Sequence, residues 1–291
     1  MTNVLLASLL AAPAGAQAVL APVPFGVRLA EVRSEAVPGI DDVLARLADA
    51  SDIPGQLSAL AELGRRAGGL DPIDQHRVAA ALSAAAASTF NAGTVRGRAL
   101  DTLGKAGAWL GDESARAEVV RTLVDYARAD SPADSRSELR TYALRALASS
   151  AARLPPAVDA LHAAVAGCAL DGLRRAGSQV DRDSAVMLLE AYLRANGPGI
   201  LFRSWDLRGR FEAEVLAGLE AGGLERLYDQ PQANLEYRYF LIRSLAVIGR
   251  TYGGPDLNLP HRALGVLREM AQREPDPRLR RLAELYSRRV G

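Results

Sequence analysis

Apolar residues recur along most of the chain at steps of three and four, the spacing that gathers them on one side of a helix. Behind Asp181 the pattern is plain: Ala185, Val186, Leu189, Tyr192 and Leu193 fall on one stripe. No stretch alternates apolar and polar residues at a period of two for long enough to make a strand. Tyr237 to Ile248 is apolar almost all round, which predicts a helix covered on several sides.

Punctuation sets the limits of these helices. Asp71-Pro72 and Asp276-Pro277 each read as an N-cap followed by proline at the first helical position, where the missing N–H costs nothing. Ser135 and Glu138 have the spacing of a capping box. Gly68-Gly69, Gly111, Gly197-Pro198-Gly199, Gly222-Gly223 and Gly253-Gly254-Pro255 read as stops. The marks predict helices near 40–50, 54–67, 72–88, 94–109, 113–128, 135–152, 156–175, 182–196, 207–221, 234–251, 260–273 and 277–289. Most connections are short, which favours antiparallel neighbours.

The helices repeat. Val95-Arg96-Gly97-Arg98-Ala99-Leu100, Leu139-Arg140-Thr141-Tyr142-Ala143-Leu144, Tyr237-Arg238-Tyr239-Phe240-Leu241-Ile242 and Leu279-Arg280-Arg281-Leu282-Ala283-Glu284 each place an arginine near a helix start, with Ala or Leu three residues on. A weaker copy begins at Arg182. The arginines at 96, 140, 182, 238 and 280 are spaced by 44, 42, 56 and 42 residues, and the stretch Gly197 to Leu207 reads as the insertion that lengthens one interval. Ala59 to Arg65 is echoed forty residues later by Ala99 to Lys105.

A helix of the form Val-Arg-x-x-Ala-Leu-x-x-Leu-Gly, followed by a turn and a second amphipathic helix, resembles a HEAT repeat; Val95 to Gly104 with Ala115 to Tyr126 is the best copy. The resemblance covers residues 50–290 and implies an all-α, HEAT-like α-α superhelix, a right-handed solenoid of about five to six helical pairs. One pair cannot bury both of its apolar stripes; stacked pairs bury them against each other, and small residues at Ala99, Ala143 and Ala185 let the helices approach. A compact irregular helical domain is the alternative.

Composition sharpens this picture. Of 291 residues, 54 are alanine, the best helix former, while aromatic residues make up only 5%. The 35 basic residues include one lysine, Lys105, and nearly cancel the 34 acidic ones, leaving a net +1. So even a balance lacks the field of a dedicated nucleic-acid binder. The balance hides a gradient: residues 40–75 carry net −4 and residues 261–291 net +4. Arg280 and Arg281 belong to that basic end, which reads either as contact with an acidic partner or lipid headgroups, or as the solvated cap of a stack.

Met1 to Ala18 is uncharged in its side chains and ends in Ala16-Gln17-Ala18 behind a short apolar run, which predicts a signal peptide cleaved after Ala18 and a periplasmic or secreted protein. The run is too short to span a membrane. Val19 to Pro38, with three prolines, reads as an extended lead-in to a helical domain over 39–291.

No catalytic motif, metal set or cofactor site is legible. His76, His162 and His261 fall on separate helices without a partner at metal-ligand spacing. Cys168, the only cysteine, sits in an alanine-rich stretch without an electropositive neighbour. Gly97 and Gly104-Lys105 mimic a phosphate loop with the wrong spacing and no hydroxyl after the lysine. The segment Ile200 to Leu207 concentrates Phe202, Arg203 and Trp205 between glycine breaks, either as an interface or as a plug for an irregular gap.

The sequence therefore predicts a non-enzymatic scaffold of the cell envelope, presenting a curved surface, mainly of second helices, to a protein or peptide partner. Candidate contacts are Phe202, Arg203, Trp205, Arg280 and Arg281. An enzyme with an unrecognised site, or an enzyme-accessory subunit, is one alternative. A cytosolic adaptor with an uncleaved N-terminus is the other.

Overall fold

A computed structural model describes residues 39–129, 137–154, 158–220, 222–251 and 258–288. The leader and lead-in, Ser135 of the expected capping box and the glycines at 253–254 lie outside the described residues. Among those described there is no strand.

The first eight helices are α1 (Ile40–Ala48), α2 (Ile53–Arg66), α3 (Pro72–Ala87), α4 (Gly93–Trp109), α5 (Glu113–Arg128), α6 (Arg140–Ser150), α7 (Asp159–Arg174) and α8 (Gln179–Asn196). Four shorter ones follow, α9 (Gly199–Arg203), α10 (Trp205–Phe211), α11 (Gly218–Glu220) and α12 (Gly223–Tyr228), with a π-helical turn at Glu212–Ala217. The last three are α13 (Leu235–Gly249), α14 (Asn258–Arg273) and α15 (Pro277–Arg288).

Their ends follow the side-chain chemistry. Asp71 Oδ1 accepts the Asp74 amide at 2.9 Å and so caps α3, while Asp276 Oδ1 accepts the amides of Arg278 (2.8 Å) and Leu279 (3.0 Å) at the start of α15. At the end of α8, Gly197 takes a φ of +71°, a backbone conformation that side chains with a Cβ adopt at a cost.

The elements stack in two layers. In one, α2, α4, α6, α8, α13 and α15 lie side by side; in the other are α1, α3, α5, α7, the α10–α11 segment and α14. Each helix also packs on its chain neighbour across the layers. Every arginine of the repeated motif stands in the first layer, so the period read along the sequence is the period of the stack. Ala99, Ala143 and Ala185 are fully buried within it. The stack is a HEAT-like helical solenoid, with core side chains shared between consecutive pairs as stacking of identical units requires.

The 56-residue interval leaves the first layer intact, because α13 packs directly on α8. The extra length lies in the other layer, where α10, the π turn and α11 stand between α7 and α14. Leu201, Leu207 and Phe211 fill that place with nearly complete burial. Two elements here, α9 and α12, arise where the sequence pattern predicts no helix. Both are under two turns long, too short for an apolar period to register.

Candidate functional site

The repeated arginines serve the stack. Arg96 Nε donates to the Ala86 carbonyl at 2.9 Å, Arg238 Nη1 to Pro231 O at 2.7 Å and Arg280 Nε to Glu274 O at 2.7 Å, each tying a first-layer helix to chain six to ten residues before it. Arg182 donates to Asn234 and lies 4.9 Å over the Tyr237 ring, joining α8 to α13. Arg238 is wholly buried, 3.1 Å from the equally buried Glu274. These guanidiniums point into the stack, which leaves the outward stripe of the same layer free for other chemistry.

That outward stripe forms the largest cavity described, a groove of about 880 Å3 across α6, α8, α13 and α15. Its floor is apolar, from Met187, Leu235, Tyr239, Phe240, Leu279 and Leu282. Tyr239 and Phe240 meet edge to face with centroids 5.2 Å apart. Behind them Arg243 donates to the Tyr239 hydroxyl, and its Nη2 lies 2.8 Å from the buried Glu190, which pins the aromatic wall in place. Arg145, Glu236, Asp276 and Arg278 complete the lining. A smaller groove of about 590 Å3 lies on the same layer between α2 and α4, bordered by Arg65, Arg98, Asp101 and the lone lysine, Lys105.

Asp183 belongs to the larger groove. It lies one helical turn before Met187 on α8, and the charges that act on it include Arg145 and Glu236, both in the lining. Only 8% of its surface is exposed, and its Oδ1 has no hydrogen-bond partner. Burial raises its pKa above the ordinary carboxylate value, against the opposing pull of Arg182. Asp101, over in the smaller groove, is raised for the same reason.

Solved structures with this arrangement are designed proteins. The chain is similar to the designed armadillo repeat protein YIII(Dq)4CqI, at 18% identity and a TM-score of 0.55 over 87% of this chain and 100% of that one. It is similar also to computationally designed armadillo repeat proteins for modular peptide recognition (16%, TM-score 0.52, 87% of this chain and 99% of that one). A third is YIII(Dq.V1)4CPAF, in complex with the peptide (KR)4 (14%, TM-score 0.52, 87% of this chain and 100% of that one). The fold is that of a helical-repeat solenoid. No protein-family model and no curated protein matches the chain.

Within the solenoid, the residues nominated from sequence occupy other places than the groove floor. Trp205 is 82% exposed, with the Arg208 guanidinium 5.2 Å over its ring. Phe202 is half-buried against the core, and Arg203 reaches Asp159 at 3.2 Å. Arg280 and Arg281 are exposed on α15, beyond the groove edge. The three histidines stay apart. His162 Nδ1 is 3.2 Å from the Tyr192 hydroxyl inside the stack, His76 is 3.9 Å from Asp112, and His261 is exposed on α14. Burial pushes the Cys168 thiol up to about 11, so it stays protonated. Gly97 and Gly104 are contact points between α4 and α6. Among the described residues no cluster of His, Cys, Asp or Glu has the geometry of a metal site, and no helix is long and apolar enough to cross a membrane.

The groove escaped the sequence reading for a physical reason. Surface-facing Leu235, Phe240 and Leu282 look like ordinary members of apolar helices, and only the stacking order of α8, α13 and α15 brings them together. The expected presenting surface was that of the second helices, whereas the groove lies on the arginine-led first helices.

Proposed function

We propose that the protein is a non-enzymatic scaffold whose first-layer groove holds an extended peptide segment of a partner protein. The observation that carries this reading is the groove itself: an apolar floor with an aromatic wall, about 880 Å3 in volume, on helices that are each packed from behind. Large apolar patches rimmed by charge mark interaction surfaces, and Tyr, Phe and Arg dominate the energetics of such contacts. The likeness to designed peptide-recognition scaffolds agrees with it.

The second proposed contact is Trp205 with Phe202 and Arg203, favoured by the exposure of an indole that nothing in the stack requires. Arg280 and Arg281 are proposed as peripheral contacts at the basic end. The N-terminal leader supports export, and we place the scaffold in the periplasm or outside the cell.

Capture from an envelope extract tests the reading. Full-length protein carrying Phe240→Ala and Leu282→Ala should lose its partner, while Trp205→Ala should weaken capture less. Equal capture by wild type and the groove variant would remove the groove from the proposal.

A further inference from the structure

The groove also has a charge order, and this inference rests on the groove being the binding surface. Across the layer Arg145 stands on α6, Asp183 on α8, Glu236 on α13 and Arg278 on α15, so the order is positive, negative, negative, positive. Asp183 is more than nine-tenths buried and its Oδ1 accepts no hydrogen bond. A buried carboxylate in that condition is costly to the fold, and native proteins keep few of them without use. The neighbouring guanidiniums are turned to other partners. Arg145 Nε donates to Ser184 Oγ at 3.0 Å, and Arg182 donates to Asn234 and stacks on Tyr237. Glu236 is exposed, and neither it nor Arg278 has an ion pair among the described residues.

We propose that the groove selects a peptide with a single arginine or lysine over Asp183 and Glu236, apolar residues on the floor beside it, and a carboxylate over Arg278. The basic group supplies the donor that Asp183 lacks. Neighbouring packed helices lie about 8–10 Å apart, and an extended chain advances about 3.3–3.6 Å per residue, so the acidic residue falls about three positions from the basic one. An unbroken basic run is disfavoured, since a second cation would lie against Arg145 or Arg278.

Panning a random displayed peptide library against the full chain tests this. Expected binders carry one basic residue with an acidic residue about three positions away. Asp183→Asn, checked for unchanged helicity, should weaken such a peptide about tenfold or more, and should leave the same peptide with its basic residue changed to glutamine unaffected. Polybasic binders, or binders indifferent to Asp183→Asn, would overturn the charge order while leaving the groove reading standing. Binders that ignore Phe240→Ala and Leu282→Ala, or no binders at all, would overturn both.

Discussion

Gly104 shows how a single atom decides packing in this stack. A Cβ there would meet the Cα and carbonyl oxygen of Ala146 at 2.6 Å, and backbone atoms cannot swing aside. Ser150 Oγ donates to the Gly104 carbonyl at 2.8 Å, a second mark of the close approach of α4 and α6. In an open helix alanine would gain about 1 kcal/mol over glycine. Here the clash wins, and Gly104→Ala should destabilise the protein by about 1–3 kcal/mol in denaturant titration. A neutral or stabilising result would mean the helices are not in contact there. Asp183 presents the opposite case. Its raised pKa means the folded state holds the proton more tightly than the unfolded chain does. The cost of the fold is therefore absent below the ordinary carboxylate pKa and grows as pH rises through the folded value. Arg145, Arg182, Glu236 and Tyr237 are the groups around it, and the two arginines moderate that cost. Asp183→Asn should raise Tm by about 2–4 °C at pH 7, roughly 1 kcal/mol in a chain of this size, and the gain should vanish in acid near pH 3. A loss of stability at pH 7 would show that the carboxylate has an internal partner.

Between elements, the buried pair of Arg238 and Glu274 joins the turn before α13 to the turn before α15. Arg238 also lies 5.7 Å over the Tyr228 ring, and Glu274 Oε1 accepts the Asp276 amide at 3.1 Å. Removing one partner leaves a buried charge. Arg238→Met should cost about 3–5 kcal/mol, and adding Glu274→Leu should restore much of it. Hydrogen exchange in α13 to α15 is the measurement, since a repeat stack opens locally. Nearly all of the long helices were legible, because their apolar stripes and Asp caps are local signals. Arg238 was legible as a repeat marker, whereas its depth was not; nothing in one sequence separates a buried arginine from an exposed one. The same holds for α9, α12 and the π turn. Their residues are held by the gap between α7 and α14, a property of the stack and not of their own pattern.

For the whole molecule, even charge and abundant alanine follow from stacking. Small residues at facing positions bring helices close, and arginines bridge consecutive repeats instead of building a basic face. The groove is the exception to that self-satisfaction, with apolar side chains open and one carboxylate lacking a donor. Export is a claim at the same scale. The native protein should begin at Val19 when its N-terminus is sequenced, and an intact Met1 would place it on the other side of the membrane.

Hydrogen–deuterium exchange of the full chain with a peptide selected from the library separates the groove from every other surface. Slower exchange is expected in α8, α13 and α15, around Met187, Phe240 and Leu282. Slowing confined to Gly199–Phe211, or to α3, α5 and α7 in the other layer, would contradict the assignment of the groove as the binding surface.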